Sequence, residues 1–138
     1  MNDEKFAIMS KFNKIIKAIV SKLNYIMKSP TSELMVTHVD IVIRNTPNFL
    51  IENNEKAWRH NDLLLQIKKG DVYNWGILNT IDFGQETSID GSKLEDDIIS
   101  MMENVRSVIL SVSETERILI FKDVIELYRQ MALFRKLN

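Results

Sequence analysis

Two histidines each stand two residues before an aspartate, in His38-Val39-Asp40 and His60-Asn61-Asp62. Imidazole beside carboxylate is a combination that can bind a divalent metal or pass a proton. On a helix, however, side chains two positions apart point about 200° away from each other. Neither pair converges on one ion unless its segment is extended, and no second His lies within one helical turn of either. Surface or capping roles suit both better. Asp82-Phe83-Gly84 has the letters of the kinase magnesium motif, but the chain has no Gly-rich loop, paired Lys or catalytic loop to accompany it. The stretch from Glu86 to Asp97 can be laid on the twelve-residue calcium loop, with Ser88 and Asp90 at oxygen-ligand positions, Gly91 at the turn and Asp97 last. Glu86 replaces the usual first Asp, and Asp97 is too short for the usual bidentate Glu. A turn at Asp90-Gly91 followed by a capped helix accounts for the same residues without metal. No Ser occupies a nucleophile elbow, and neither a P-loop nor a dinucleotide fingerprint is present. The expectation is a non-enzymatic chain with no catalytic residues, no metal, no cofactor and no small-molecule substrate.

What remains is shape and charge. The 138 residues hold 18 basic and 19 acidic side chains, 45% apolar residues, four Gly, two Pro and no Cys. The length suits one domain, 1–138, and the apolar fraction beside a net charge of −1 argues against intrinsic disorder. Absent Cys removes disulfides, thiolate metal sites and cysteine catalysis, and permits a reducing compartment. Acids near the N-terminus and lysines interrupting the first apolar stretch argue against a secretory signal, and no uninterrupted apolar run is long enough to span a bilayer. A cytoplasmic location is expected.

The elements follow from the spacing of the apolar residues. Met9, Phe12, Ile16, Ile19, Leu23 and Ile26 predict a helix over 4–28. Ser29-Pro30 ends it and opens a second over 30–44, with Leu34, Met35, Val39, Val42 and Ile43. The β-branched run 39–43 would also suit a strand. Thr46 as cap and Pro47 in the first turn open one kinked helix or two short ones across 47–69, closed by Lys68-Lys69-Gly70-Asp71 as a helix C-terminus. Residues 70–92 read as an aromatic-rich loop with one short helical turn, its aromatics plugging the bundle. Capping boxes at Ser92/Glu95 and Ser113/Glu116 open the last two helices. The first carries Leu94, Ile98, Met101, Val105, Val108 and Val112, and the second Ile120, Val124, Leu127, Met131 and Phe134. The sum is an all-α bundle of about five helices.

Charge divides by segment: 1–28 carries +4, 29–69 is neutral, 70–116 carries −8 and 117–138 carries +3. Lys11, Lys14, Lys17 and Lys22 lie mostly opposite the first apolar stripe, so this helix could lie on a membrane or nucleic-acid phosphates. It has neither Arg nor Trp, which makes base readout a poor fit. Trp58, Trp75, Tyr73 and Tyr128 could line a pocket or simply pack. The surplus of apolar helix face, with Met101, Met102 and Met131 as adaptable contact residues and Phe134 beside them, favours a protein partner or a second copy. Those four residues and the four lysines are the candidate interaction surface.

Composition adds 18 Ile, 12 Asn and 12 Lys against four Ala, a bias toward AT-rich codons. With the opening helix Phe12 to Ile26, Asn45-Thr46-Pro47, Leu50-Ile51, the break at Tyr73-Asn74-Trp75 and the closing Ile125-Glu126-Leu127-Tyr128 helix, the chain resembles the short, lineage-specific helical proteins of large DNA viruses with AT-rich genomes. The resemblance implies a non-enzymatic accessory or virion protein that acts through contacts, and carries over no functional residue.

Overall fold

The computed structural model describes residues 3–56, 65–80, 82 and 96–137, with the side chains of 53–56, 97–98 and 101–102 outside that description. The fold is all-α, with one two-residue-per-strand hairpin among the described residues. Helices α1 (Asp3–Met27), α2 (Pro30–Asn45), α3 (Phe49–Lys56), α4 (Asp96–Ser111) and α5 (Glu114–Lys136) dominate. A helical end at 65–67 and a 3-10 helix at Trp75–Thr80 bring the helical segments among the described residues above the expected five. Contacts gather 1–56 with 113–138 into one compact unit and 57–112 into a second.

In the first unit, α1 and α5 are antiparallel. Lys5 Nζ lies 5.2 Å from the centre of the Phe134 ring at one end, while Tyr25 and Ile26 share a groove with Leu119 and Ile120 at the other. The core is built from Met9, Phe12, Val20 and Leu23 of α1, Ile51 of α3, and Ile120, Phe121, Met131 and Phe134 of α5. These positions fall along the apolar stripes, since 3.6 residues per turn returns i+3 and i+4 to one face.

The corner between α1 and α2 is made by local hydrogen bonds. Ser29 caps α2 and accepts the Ser32 backbone N–H at 3.1 Å, and the Ser32 hydroxyl accepts the Ser29 N–H at 3.1 Å, closing a capping box with Ser in place of Glu. Ser32 is buried, and its hydroxyl donates to Asn24 Oδ1 at 2.7 Å, tying the two helices together. Pro30 sits at the start of α2, where a missing N–H removes no helical bond. The β-branched run 39–43 is helical throughout. Leu34, expected on the inward stripe, is 69% exposed instead. Met35, Val39 and Val42 face inward, and Leu34 lies a quarter-turn off their line.

Lys28 follows α1 with φ of 49°, and its N–H closes on the Asn24 carbonyl at 2.8 Å. A side chain in this left-handed conformation costs about 1–2 kcal/mol, whereas Gly adopts it freely but loses more freedom on folding, about 0.5–1 kcal/mol. Lys28→Gly is therefore expected to raise the urea-unfolding free energy by about 0.5–1 kcal/mol, and Lys28→Ala to give no gain. Equal effects from both substitutions would show that the backbone strain is not felt.

Three expected boundaries differ. Thr46 closes α2 through its N–H to the Val42 carbonyl and does not open α3. α3 starts at Phe49, with the Asn48 carbonyl taking the Glu52 N–H at 3.2 Å, two residues later than Pro47 suggested. In the second unit, Lys68-Lys69-Gly70-Asp71 is no helix end: Lys68–Lys69 pairs antiparallel with Val72–Tyr73. Gly70 has φ of 61°, the arrangement of a two-residue hairpin loop with Gly in first place. The loop around 70–92 thus holds a hairpin and a 3-10 helix, and Tyr73 stacks on Trp75 with ring centres 5.1 Å apart. Arg106 of α4 donates to the Leu78 carbonyl at 3.3 Å within this unit. At the start of α5, Ser113 caps as expected, accepting the Glu116 N–H at 3.2 Å. The Ser92/Glu95 box, the calcium-like loop up to Glu95, His60-Asn61-Asp62 and Trp58 lie outside the described residues.

Candidate interaction groove

Where the second half of α1 passes the first half of α5, the two helices leave an open groove of about 460 Å³. Its wall is Tyr25, Ile26, Leu119 and Ile120, with Ser21, Lys22 and Glu116 at the rim. Tyr25 is 76% exposed and Leu119 50%. Leu23 and Ile120, on the stripes of the two helices, are buried, and Tyr25 and Leu119 off those stripes face solvent. Neither Tyr25 nor Leu119 was among the expected contact residues. Both are apolar residues lying off the stripe of a helix whose stripe is already complete, and that is the pattern in the sequence that marks them.

The lysine face of α1 does not stand free. Lys11 pairs with Glu126 at 3.4 Å, Lys17 with Asp40 at 2.9 Å and Lys22 with Asp123 at 2.7 Å. Three of the four candidate lysines thus fasten α1 to α2 and α5, and Lys14 remains exposed. The acids they meet come from α2 and α5, not from the acidic segment 70–116. Such surface pairs contribute little stability each, but they lower the positive potential available to phosphate.

Glu126 is the most connected of these acids. Partial burial pushes its carboxyl up, and this is outweighed by the Gln130 amide at 3.0 Å, by Arg129 at 2.9 Å and by Lys11, so that it lies below its ordinary value. The hydrogen bond from Lys17 holds Asp40 below its ordinary value, against some desolvation and with the charges of Lys17 and Arg44 helping. Burial pushes the Tyr128 phenol up.

Other candidates separate. Met131 and Phe134 are 4% and 2% exposed, so they are core residues and not surface contacts. α5 is apolar over a wide arc because α1 and α3 both pack on it. Met101 and Met102 lie on α4 with side chains outside the description. His38 is exposed on α2, and its neighbour Asp40 turns to Lys17, the divergence that helical geometry requires. Tyr73 and Trp75 fill their ring faces with each other within the hairpin unit. Among the described residues no group of three His, Cys, Asp or Glu side chains could hold a metal, and no helix is long and apolar enough to cross a membrane.

The arrangement can hold a row of apolar side chains by burial. No protein-family model, curated protein or solved structure matches the chain.

Proposed function

We propose that this chain is a non-enzymatic helical interaction protein, and that its groove receives an amphipathic helix of a protein partner. The observation that carries this is the pairing of Tyr25 and Leu119 as exposed walls of a groove that Ile26 and the buried Ile120 also line. Two antiparallel helices with an apolar furrow between them are the shape into which a third helix lays its i, i+3, i+4 and i+7 side chains. Each apolar side chain buried there contributes about 1.5–3 kcal/mol, against which the cost of association is set. The resemblance to short helical proteins of AT-rich DNA viruses is in keeping with an accessory or virion component working in the host cytoplasm or the particle.

The test is affinity purification from the native source with three baits: wild type, Leu119→Arg and Lys14→Glu. Both substituted positions are exposed, so circular dichroism and thermal melts should match wild type. A protein set kept by wild type and Lys14→Glu and lost with Leu119→Arg supports the groove. Identical sets from all three baits, or loss only with Lys14→Glu, would overturn it.

A further inference from the structure

The outer face of α2 carries a second, independent pattern. Leu34 and Ile41 are 69% and 47% exposed and stand seven residues apart, so they lie on nearly the same line of the helix. Between them Thr37 turns its hydroxyl back to the Glu33 carbonyl at 3.2 Å, beside the line on the Glu33 side. Glu33 in the first turn and Arg44 in the last are both exposed. Eleven residues separate them, about three full turns, so both flank the Leu34–Ile41 line on the same side. Neither forms an ion pair among the described residues.

We infer that this face of α2 is a self-association surface whose occupant is α2 of a second copy of this chain, packed antiparallel about a two-fold axis near Thr37. The charges choose that occupant and that direction. When two helices pack antiparallel, flanks on the same side of the apolar line face each other, as in antiparallel coiled coils. Glu33 of each copy then meets Arg44 of the other, and the two-fold makes the contact twice. In the same register Leu34 covers the partner's Ile41 and the stem of its Arg44. Asp40, on the same flank, is held by Lys17 and also feels the charge of Arg44 one turn on, so the intermolecular pair draws on an Arg44 that Asp40 attracts without ion-pairing it. A parallel pair would set the Glu33 flank against the opposite flank, where α2 carries His38 but no lysine or arginine.

One helix face buries less than a standard interface, so the dimer is weak and its affinity low. This inference rests on the interaction-protein reading and names a partner for a face other than the groove. Sedimentation equilibrium of the full chain over about 1 µM to 1 mM is the test, a range that covers weak association. The mass is expected to climb from 16.1 kDa toward twice that value. Glu33→Arg and Arg44→Glu, which each place like charges together twice, should weaken association at least tenfold. The double variant should restore it, and an equimolar mixture of the two single variants should form a heterodimer. Leu34→Asp should abolish the dimer with the helical spectrum unchanged. A constant 16.1 kDa mass at every concentration, or a double variant no better than the singles, would overturn the proposal. A monomer that still loses its partner set through Leu119→Arg sinks only the α2 dimer. A dimer with no partner set sensitive to Leu119 sinks only the groove.

Discussion

Phe12→Ala is expected to cost about 3–5 kcal/mol, roughly a fifth or more of the about 5–15 kcal/mol that stabilises a domain. Phe12 is 1% exposed in the stretch of α1 that also buries Met9 and Asn13. Truncation removes the transfer free energy of the ring and leaves a cavity that rigid helices on either side close only in part. Phe6→Ala is the matched control: the same residue type on the same helix, 56% exposed, and expected to change stability by no more than about 0.5 kcal/mol. Urea unfolding followed at 222 nm measures both. Similar costs for the two would mean that α1 is rotated on its axis relative to the packing described, because six residues turn the helix through about 240°.

The contrast between Phe6 and Phe12 also shows what was legible in the letters. Phe12 belongs to a stripe repeating every three and four residues, and Phe6 does not. Boundaries set by chemistry within a few residues were equally plain: Ser29-Pro30 and Ser113 cap helices because their hydroxyls reach a backbone N–H three residues on. Lys68-Lys69-Gly70-Asp71 reads two ways, because Gly after basic residues suits a helix end and Gly-Asp before the β-prone Val72-Tyr73 suits a hairpin. Only the pairing of Val72–Tyr73 decides between them. Thr46 likewise can close one helix or open the next. The partners of Lys11, Lys17 and Lys22 lie 23 to 115 positions away, so no local rule selects them. Met131 and Phe134 show the limit from the other side. A wide apolar arc states that something covers it, and whether that is another helix of the same chain depends on the packing of α1 and α3.

Asn13→Asp is expected to cost about 3–5 kcal/mol at pH 7, though it exchanges only an amide for a carboxylate. Asn13 is 5% exposed, and its Nδ2 donates to the Pro47 carbonyl at 2.9 Å, fixing the α2–α3 turn onto α1. Its Oδ1 is buried with no hydrogen-bond partner. A carboxylate there would set a charged oxygen against the Pro47 carbonyl and keep the second oxygen unpaired in the core. Burial and the facing carbonyl both favour the neutral acid, so the introduced group should titrate above the ordinary value of about 3.9. The folded state of the variant then binds its proton more tightly than the unfolded state does. Its stability deficit therefore shrinks as pH falls through the raised value and levels off below about 4, where the protonated acid can again donate to Pro47. Glu126 has the opposite sign, since its lowered carboxyl makes the wild type lose stability as pH falls below its ordinary range. The measured quantity must therefore be the difference between variant and wild type at each pH. Asn13→Leu separates the charge from the lost hydrogen bond: it removes the unpaired oxygen as well as the donor, and is expected to cost about 1–2 kcal/mol at every pH. If Asn13→Asp matched Asn13→Leu at pH 7, or kept the same deficit at pH 4 and pH 7, the side chain at position 13 would be reaching water instead of the core beneath Pro47.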